Sequence, residues 1–166
     1  MSVKKWLTPS AAGGSAVSRF AVGAVAVGTA VFGLPSASWA ADGTYLDKCS
    51  RPDVSCQTGV KVDPPLLLSW CEEAPADRHY TRVCIQFTGD KVYVFDGASD
   101  GHSALGNVFT GAGSVNDRYC RNPHGAGTWA ECNFDWVEDS AKHVYGGYRI
   151  DSTDYRLDWL GSFSNN

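Results

Sequence analysis

An aromatic residue and three polar residues alternate along the segment from Thr128 to Trp136. Successive side chains of a β-strand point to opposite faces, so a strand over these residues would place four of them together: Trp129, Glu131, Asn133 and Asp135. A sugar or another polar ligand needs an aromatic plane beside hydrogen-bonding groups. We therefore predict ligand binding at these four residues. The alternative is a packed tryptophan with solvated carboxylates.

The two carboxylates of this segment are too far apart to form a glycosidase pair by themselves. Four residues of strand separate Glu131 from Asp135 by roughly 13 Å, whereas catalytic carboxylate pairs are about 5 to 9.5 Å apart. A second catalytic carboxylate on another strand remains an alternative. We assign no catalytic residue.

The string Gly97-Ala98-Ser99-Asp100-Gly101 matches the G-x-S-x-G pattern of serine hydrolases. Asp135 and His143 follow it in the order of an acid and a base. A nucleophile elbow, however, needs a helix after the serine and a large α/β sheet beneath it, and the rest of the chain predicts neither. A glycine-rich turn between strands is the favoured interpretation.

The same region partly resembles a calcium-binding loop, with Asp96, Asp100 and Gly101 at the first, fifth and sixth positions. Ala98 interrupts the third position, and Asn107 stands where a bidentate glutamate should close the loop. The EF-hand interpretation fails, and only a looser ion site remains as an alternative to solvated turn carboxylates. We predict no metal site and no cofactor.

The four histidines are scattered, without the close spacing of metal ligands: His79, His102, His124 and His143. His124 lies in the segment Asn122–Gly127, which reads as a loop between two cysteines. A loop restrained in this way lowers the ordering cost of binding. This arrangement makes an enzyme inhibitor acting through the loop one alternative function.

The chain has six cysteines, Cys49, Cys56, Cys71, Cys84, Cys120 and Cys132. Their even number predicts three disulfides. Zinc sites usually pair cysteines two to four residues apart, whereas the closest pair here has six residues between its members. Six cysteines allow 15 pairings. We favour bridges between chain neighbours, Cys49 to Cys56, Cys71 to Cys84 and Cys120 to Cys132, because each would connect segments that the chain itself brings close.

The first forty residues have the three parts of a secretory signal peptide. Lys4, Lys5 and Arg19 provide positive charge, Phe20 to Leu34 forms an apolar run, and small residues lead to a cut after Ala40. A membrane anchor would need about 20 predominantly apolar residues. The abundance of Ala, Gly, Val and Ser resembles exported proteins of actinobacteria. We expect a secreted, extracellular chain of 166 − 40 = 126 residues.

The exported part is acidic. Of 14 Lys and Arg and 18 Asp and Glu, the signal holds three basic residues and no acidic one, which leaves 11 − 18 = −7. Nucleic acids and anionic lipids are bound through clustered Lys and Arg. We therefore predict no nucleic-acid partner and no stable membrane association once the signal is removed.

Alternation of apolar and polar residues with a period of two predicts about eight strands after Pro65. They are Leu66–Cys71, Tyr80–Phe87, Lys91–Phe95, Ser103–Thr110, Asp117–Arg121, Thr128–Trp136, Val144–Asp151 and Tyr155–Phe163. Thr88-Gly89-Asp90 joins the second and third as a hairpin. A single helical turn is expected at Glu138–Lys142.

These patterns predict an all-β domain over 66–166, a small disulfide-stapled antiparallel β-sandwich or barrel. The polar, proline-containing segment 41–65 shows no periodicity and is predicted to form an irregular N-terminal arm. Four of the six tryptophans follow the signal. We expect a secreted, non-catalytic binding domain for carbohydrate or an extracellular protein. A small hydrolase, using Ser99 or the acidic groups of Glu131 to Asp139, and the loop inhibitor are the alternatives.

Overall fold

A computed structural model of the chain describes residues 41–75, 77 and 79–164, so the predicted signal peptide lies outside the described residues. The described part is all β apart from a 3-10 helix at Asp47–Ser50. The strands are β1 (Ala41–Asp42), β2 (Val54–Thr58), β3 (Val60–Val62), β4 (Trp70–Glu73), β5 (Arg82–Gln86), β6 (Lys91–Asp96), β7 (Ser103–Thr110), β8 (Asp117–Asn122), β9 (Thr128–Asn133), β10 (Lys142–Arg149) and β11 (Tyr155–Phe163).

The strands form two sheets arranged as a sandwich. One sheet has six strands in the order β1-β2-β8-β7-β10-β11, and the other has five in the order β3-β9-β6-β5-β4. All neighbouring strands pair antiparallel except β2 and β8, which run parallel. The predicted all-β class is confirmed. All strand pairs within 66–166 are antiparallel, as expected, and the parallel pair is formed by a strand of the segment 41–65.

The main core lies between the sheets. The five-stranded sheet contributes Val83, Ile85 and Val94, and the six-stranded sheet contributes Val108 and Val144, all completely buried. Branched aliphatic side chains at every second position suit the inward face of a strand. Burying each of them contributes about 1.5 to 3 kcal/mol.

A second, smaller core covers part of the outer face of the six-stranded sheet. Tyr45 and Leu46, just before the 3-10 helix, pack there on Leu105, Tyr119 and Leu157. The Tyr45 hydroxyl donates to the carbonyl of Tyr119 at 2.8 Å. The N-terminal segment therefore acts as a cover for this half of the sheet.

All three predicted disulfides are confirmed. Cys49–Cys56 joins the 3-10 helix to β2, and Cys71–Cys84 joins directly opposed residues of β4 and β5. Cys120–Cys132 joins β8 to β9, which belong to different sheets. The last bridge therefore holds the two layers together.

The segment 41–65 is more regular than the sequence suggested, because it contains three strands. Val54–Thr58 pairs in parallel with the distant Asp117–Arg121, and a disulfide joins its middle residue, Cys56, to Cys49. Partners so far away along the chain leave no local periodic signal. The prediction of an irregular arm was therefore wrong for these residues.

Two other local predictions also differ from the structure. At Glu138–Lys142 a turn with Asp139 in the left-handed region (φ 55°) replaces the expected helical turn, and Lys142 begins β10. In the predicted strand at Leu66–Cys71, Leu66 and Leu67 are 94% and 78% exposed. Their backbone lies outside the sheet, since β4 begins only at Trp70. Among the described residues, no helix has the length and apolar character to cross a membrane.

Candidate functional site

Four ring-bearing side chains come together on the outer face of the six-stranded sheet, and we call this patch the aromatic face: Phe109, His143, Tyr145 and Trp159. Strand register brings them together, because Phe109 pairs with His143 and Tyr145 pairs with Trp159. Neighbouring strands lie about 4.8 Å apart, and alternate residues of one strand about 6.7 Å. The four residues therefore occupy neighbouring positions on three adjacent strands, and the Phe109 and His143 rings stack with centroids 6.3 Å apart.

The burial pattern of β10 shows which way the aromatic face points. Lys142 and Val144 are completely buried, whereas the alternate residues His143 and Tyr145 are half-buried. Trp159, the partner of Tyr145, is 62% exposed. Since a tryptophan is usually buried for most of its area, an exposure this high marks a surface available for contact.

A polar network borders the aromatic face where the second core begins. The Asn107 amide donates to the Asp117 carboxylate at 3.1 Å, and the Tyr119 hydroxyl donates to the same oxygen at 3.4 Å. Lys48 donates to the Tyr119 hydroxyl at 2.8 Å. Burial raises the pKa of Tyr119, and the Asp117 charge acts in the same direction. Asp117 therefore provides a carboxylate with a fixed position beside the rings.

The predicted ligand residues Trp129 and Glu131 lie on the other sheet, on its outer face. Trp129 packs on Phe95 across β9 and β6, with ring centroids 5.0 Å apart. Glu131 forms an ion pair with Lys91 at 2.9 Å. Burial raises the pKa of Tyr93, and its hydrogen bond with Glu131 adds to the effect. Both predicted side chains are thus engaged within the protein.

The other two predicted ligand residues, Asn133 and Asp135, line a cavity. Asn133 pairs with Lys91 of β6. The Gln57 side chain bonds its backbone as well, donating to the carbonyl at 2.6 Å and accepting from the N–H at 3.0 Å. β9 ends there, so Asp135 lies beyond the strand. The structure divides the four predicted residues between a sheet face and a cavity.

The G-x-S-x-G string forms the loop between β6 and β7. A strand follows it where a nucleophile elbow requires a helix. Asp100 forms an ion pair with His79, and the rings of His79 and His102 lie 5.5 Å apart. The histidines that seemed scattered in the sequence therefore include one close pair. Among the described residues, no hydrogen bond or ion pair joins Ser99 to Asp135 or His143.

Asp96, at the start of this loop, is almost completely buried, with 2% of its surface exposed. One carboxylate oxygen accepts from the Ala98 backbone N–H at 3.2 Å, and the other has no hydrogen-bond partner among the described residues. Burial raises the pKa of this carboxyl. Across the part of the chain that the structure describes, no group of three or more His, Cys, Asp or Glu residues is arranged to hold a metal ion.

The Asn122–Gly127 loop is exposed but firmly attached. The buried Asn122 amide donates to the carbonyls of Val94 and Thr128 at 3.0 and 2.9 Å. His124 makes a hydrogen bond to the Gly59 carbonyl at 2.9 Å. This histidine is therefore a structural contact of the loop.

No protein-family model, no curated protein and no solved structure matches this chain. The geometry of the described residues is therefore the basis for any functional argument.

Sequence reasoning missed the aromatic face, although a signal for it was present. Tyr155, Leu157 and Trp159 alternate with polar residues along β11, and the three share one face. That face, however, is the outer one, and the second core covers only Tyr155 and Leu157. In β10 the predicted start at Val144 omitted His143, so the matching alternation of His143 and Tyr145 went unnoticed.

Proposed function

We propose that this protein is an extracellular, non-catalytic binding domain that attaches to polysaccharide through its aromatic face. The exposure of Trp159, in register with Tyr145, is the observation that carries the proposal. The ring faces of sugars present C–H groups that stack on aromatic planes, and their edges carry hydroxyl groups that need hydrogen-bond partners. Tyr145 provides such a partner beside Trp159, and His143 and Asp117 provide others further across the same face.

An uncharged polysaccharide also agrees with the charge of the chain. The residues after the predicted signal carry a formal charge of −7, which disfavours polyanionic partners. The aromatic face itself contains no Lys or Arg. Stacking and hydrogen bonding to a neutral ligand are therefore the interactions that this surface offers.

Three disulfides support the extracellular location, because such bonds persist outside the reducing cytosol. They also make the face rigid. Cys49–Cys56 fixes the N-terminal cover beside the aromatic face, and Cys120–Cys132 fixes the sheet behind it. A rigid surface loses little conformational entropy when it binds.

The test is a pull-down of the oxidised chain without its signal, using microcrystalline cellulose, chitin and insoluble xylan. We expect retention on at least one of them and about tenfold weaker binding for Trp159→Ala, which corresponds to the loss of about 1.4 kcal/mol. Trp129→Ala is the matched control, because it removes a tryptophan from the opposite sheet. Loss of binding in Trp129→Ala alone would move the site to the residues predicted from the sequence. Absence of retention on all three materials would refute the proposal.

A further inference from the structure

A cavity of about 540 Å³ opens beside β2 and β8, on a different part of the molecule from the aromatic face. Its volume lies in the usual range for small-molecule sites. Strand β2 contributes Ser55 and Gln57, and the segment after β9 contributes Asp135 and Trp136. Arg118 of β8 also lines it. The wall therefore combines polar and apolar side chains, with one tryptophan and one cation.

Arg118 is held in place as a buried cation, with 4% of its surface exposed. Its Nε donates to the Asp135 carbonyl and its Nη1 to the Val115 carbonyl, both at 2.9 Å. A guanidinium has five N–H donors. The described residues accept two of these bonds, so further donors remain for a ligand in the cavity that Arg118 lines.

A second buried donor, the indole N–H of Trp136, lies near the cavity and lacks an acceptor. Trp136 is 4% exposed, and its indole N–H has no hydrogen-bond partner among the described residues. Its backbone N–H is fixed by the Asp90 carboxylate at 3.1 Å. Buried donors without acceptors are rare in folded proteins. This indole N–H is itself inaccessible, because the Trp136 ring packs in the core against Phe163. The guanidinium of Arg118 is therefore the donor that a ligand in the cavity would meet.

The charges near Arg118 determine how strongly the cavity would attract an anion. Burial lowers the pKa of Arg118, and the Asp135, Asp90 and Asp117 charges oppose that effect. Asp135 belongs to an exposed part of the rim. Its carboxylate therefore competes with any anionic ligand for the same guanidinium.

We propose that this cavity binds a small carboxylate ligand through Arg118, with Ser55 and Asn133 available to neighbouring hydroxyl groups. A guanidinium pairs with a carboxylate through two parallel hydrogen bonds, which gives specificity as well as affinity. A sugar acid and the carboxyl terminus of a peptide share this group. The proposal does not depend on polysaccharide binding at the aromatic face.

Isothermal titration calorimetry of the oxidised chain would test the cavity with glucuronate, glucose and N-acetylglycine. We expect saturable binding of one or both carboxylates and none of glucose. Binding of glucuronate alone indicates a sugar acid, and binding of N-acetylglycine alone indicates a peptide terminus. Equal heats from glucose and glucuronate, or no saturation with either carboxylate, would overturn the proposal.

Two variants separate binding from folding. Arg118→Lys keeps the charge but loses the paired hydrogen bonds, so carboxylate binding should fall about tenfold. Asp135→Asn removes the competing charge and should strengthen binding about fivefold, a gain that misfolding cannot produce. Glu138→Gln, an exposed acidic residue outside the cavity lining, is the matched control and should leave affinity unchanged. If Asp135→Asn binds no better than Glu138→Gln, the ligand does not meet Arg118 as proposed.

Discussion

Cys120 and Cys132 lie in opposite sheets, and their disulfide crosses the core between the two layers. Both residues are completely buried among the apolar side chains of the main core. Cys71–Cys84, in contrast, joins two strands that already pair, and Cys71 is exposed. The two bridges close chain segments of nearly equal length, with separations of 12 and 13 residues. A difference in stability between variants lacking one bridge or the other therefore reflects the surroundings of each bridge.

We expect the double variant C120A/C132A to be less stable than C71A/C84A by about 1 kcal/mol or more. Loop entropy predicts a loss of about 3 kcal/mol for each bridge. Removal of two fully buried sulfurs adds the cost of a cavity between the sheets. Urea unfolding at pH 7 measures both losses. Equal losses would mean that both bridges stabilise the protein only by constraining the unfolded chain, and that the inter-sheet position has no further effect.

Gly147 of β10 controls how closely β11, and with it Trp159, approaches the sheet. A Cβ at this position would overlap the Arg156 carbonyl oxygen of β11. Gly147→Ala should therefore cost about 2 kcal/mol of folding free energy and weaken polysaccharide retention by displacing Trp159. Gly111→Ala is the control, because nothing lies within 4 Å of a Cβ there, and its effect should stay within about 0.5 kcal/mol. Thermal unfolding and the pull-down measure the two effects. If Gly147→Ala is destabilised but is retained normally on polysaccharide, the position of β11 does not control binding.

Lys48 fastens the N-terminal cover to the outer face of the six-stranded sheet. Its ammonium lies 4.7 Å from the ring centroid of Tyr119 and 4.6 Å from that of Tyr155. Lys48→Met keeps the length of the side chain but removes the charge, so we expect a loss of about 1 kcal/mol. Lys61→Met, at an exposed position of β3, should lose almost nothing. Urea midpoints compare the two variants, and equal midpoints would show that the cation adds no stability.

The accuracy of the sequence predictions follows the range of the interactions involved. β7 and β11 have the bounds that were predicted, and each pairs with a strand adjacent to it along the chain, β7 with β8 and β11 with β10. The start of β2 could not be predicted, because its partner β8 is about sixty residues away and runs parallel. β9 ends at Asn133, earlier than predicted, where one edge of the strand is bonded by the Gln57 side chain, and no sequence rule anticipates such a contact.

The candidate sites were less predictable than the fold for a similar reason. The sequence indicates which residues share a strand face, but it does not show which sheet face a neighbouring segment covers. Tyr155 and Trp159 share a face and differ only in whether the N-terminal segment lies over them. The cavity around Arg118 depends on three separate segments. Tertiary packing decides both features.

Asp96 should make the protein less stable as the pH rises, opposite to the usual behaviour of a carboxylate. Burial raises its folded-state pKa above the unfolded value, while the charge of the nearby His79 partly offsets the effect. Between those two pKa values the folded state binds more protons than the unfolded state, so stability falls with increasing pH in that window. Asp96→Asn removes this penalty but keeps an oxygen that can accept from the Ala98 N–H. We therefore expect its stability relative to the parent protein to be greater at pH 7 than at pH 3.5.

Asp151→Asn is the control of opposite sign for this experiment. Hydrogen bonds from Thr153 and Asp154 lower the pKa of Asp151, so its contribution is present above the unfolded pKa and is lost as the pH falls through the folded pKa. Asp151→Asn should therefore be more harmful at pH 7 than at pH 3.5, whereas Asp96→Asn becomes more favourable at pH 7. Urea midpoints of the parent and both variants at the two pH values measure this crossover. If Asp96→Asn shows the same dependence on pH as Asp151→Asn, the Asp96 carboxylate is stabilised in the folded protein rather than penalised by burial.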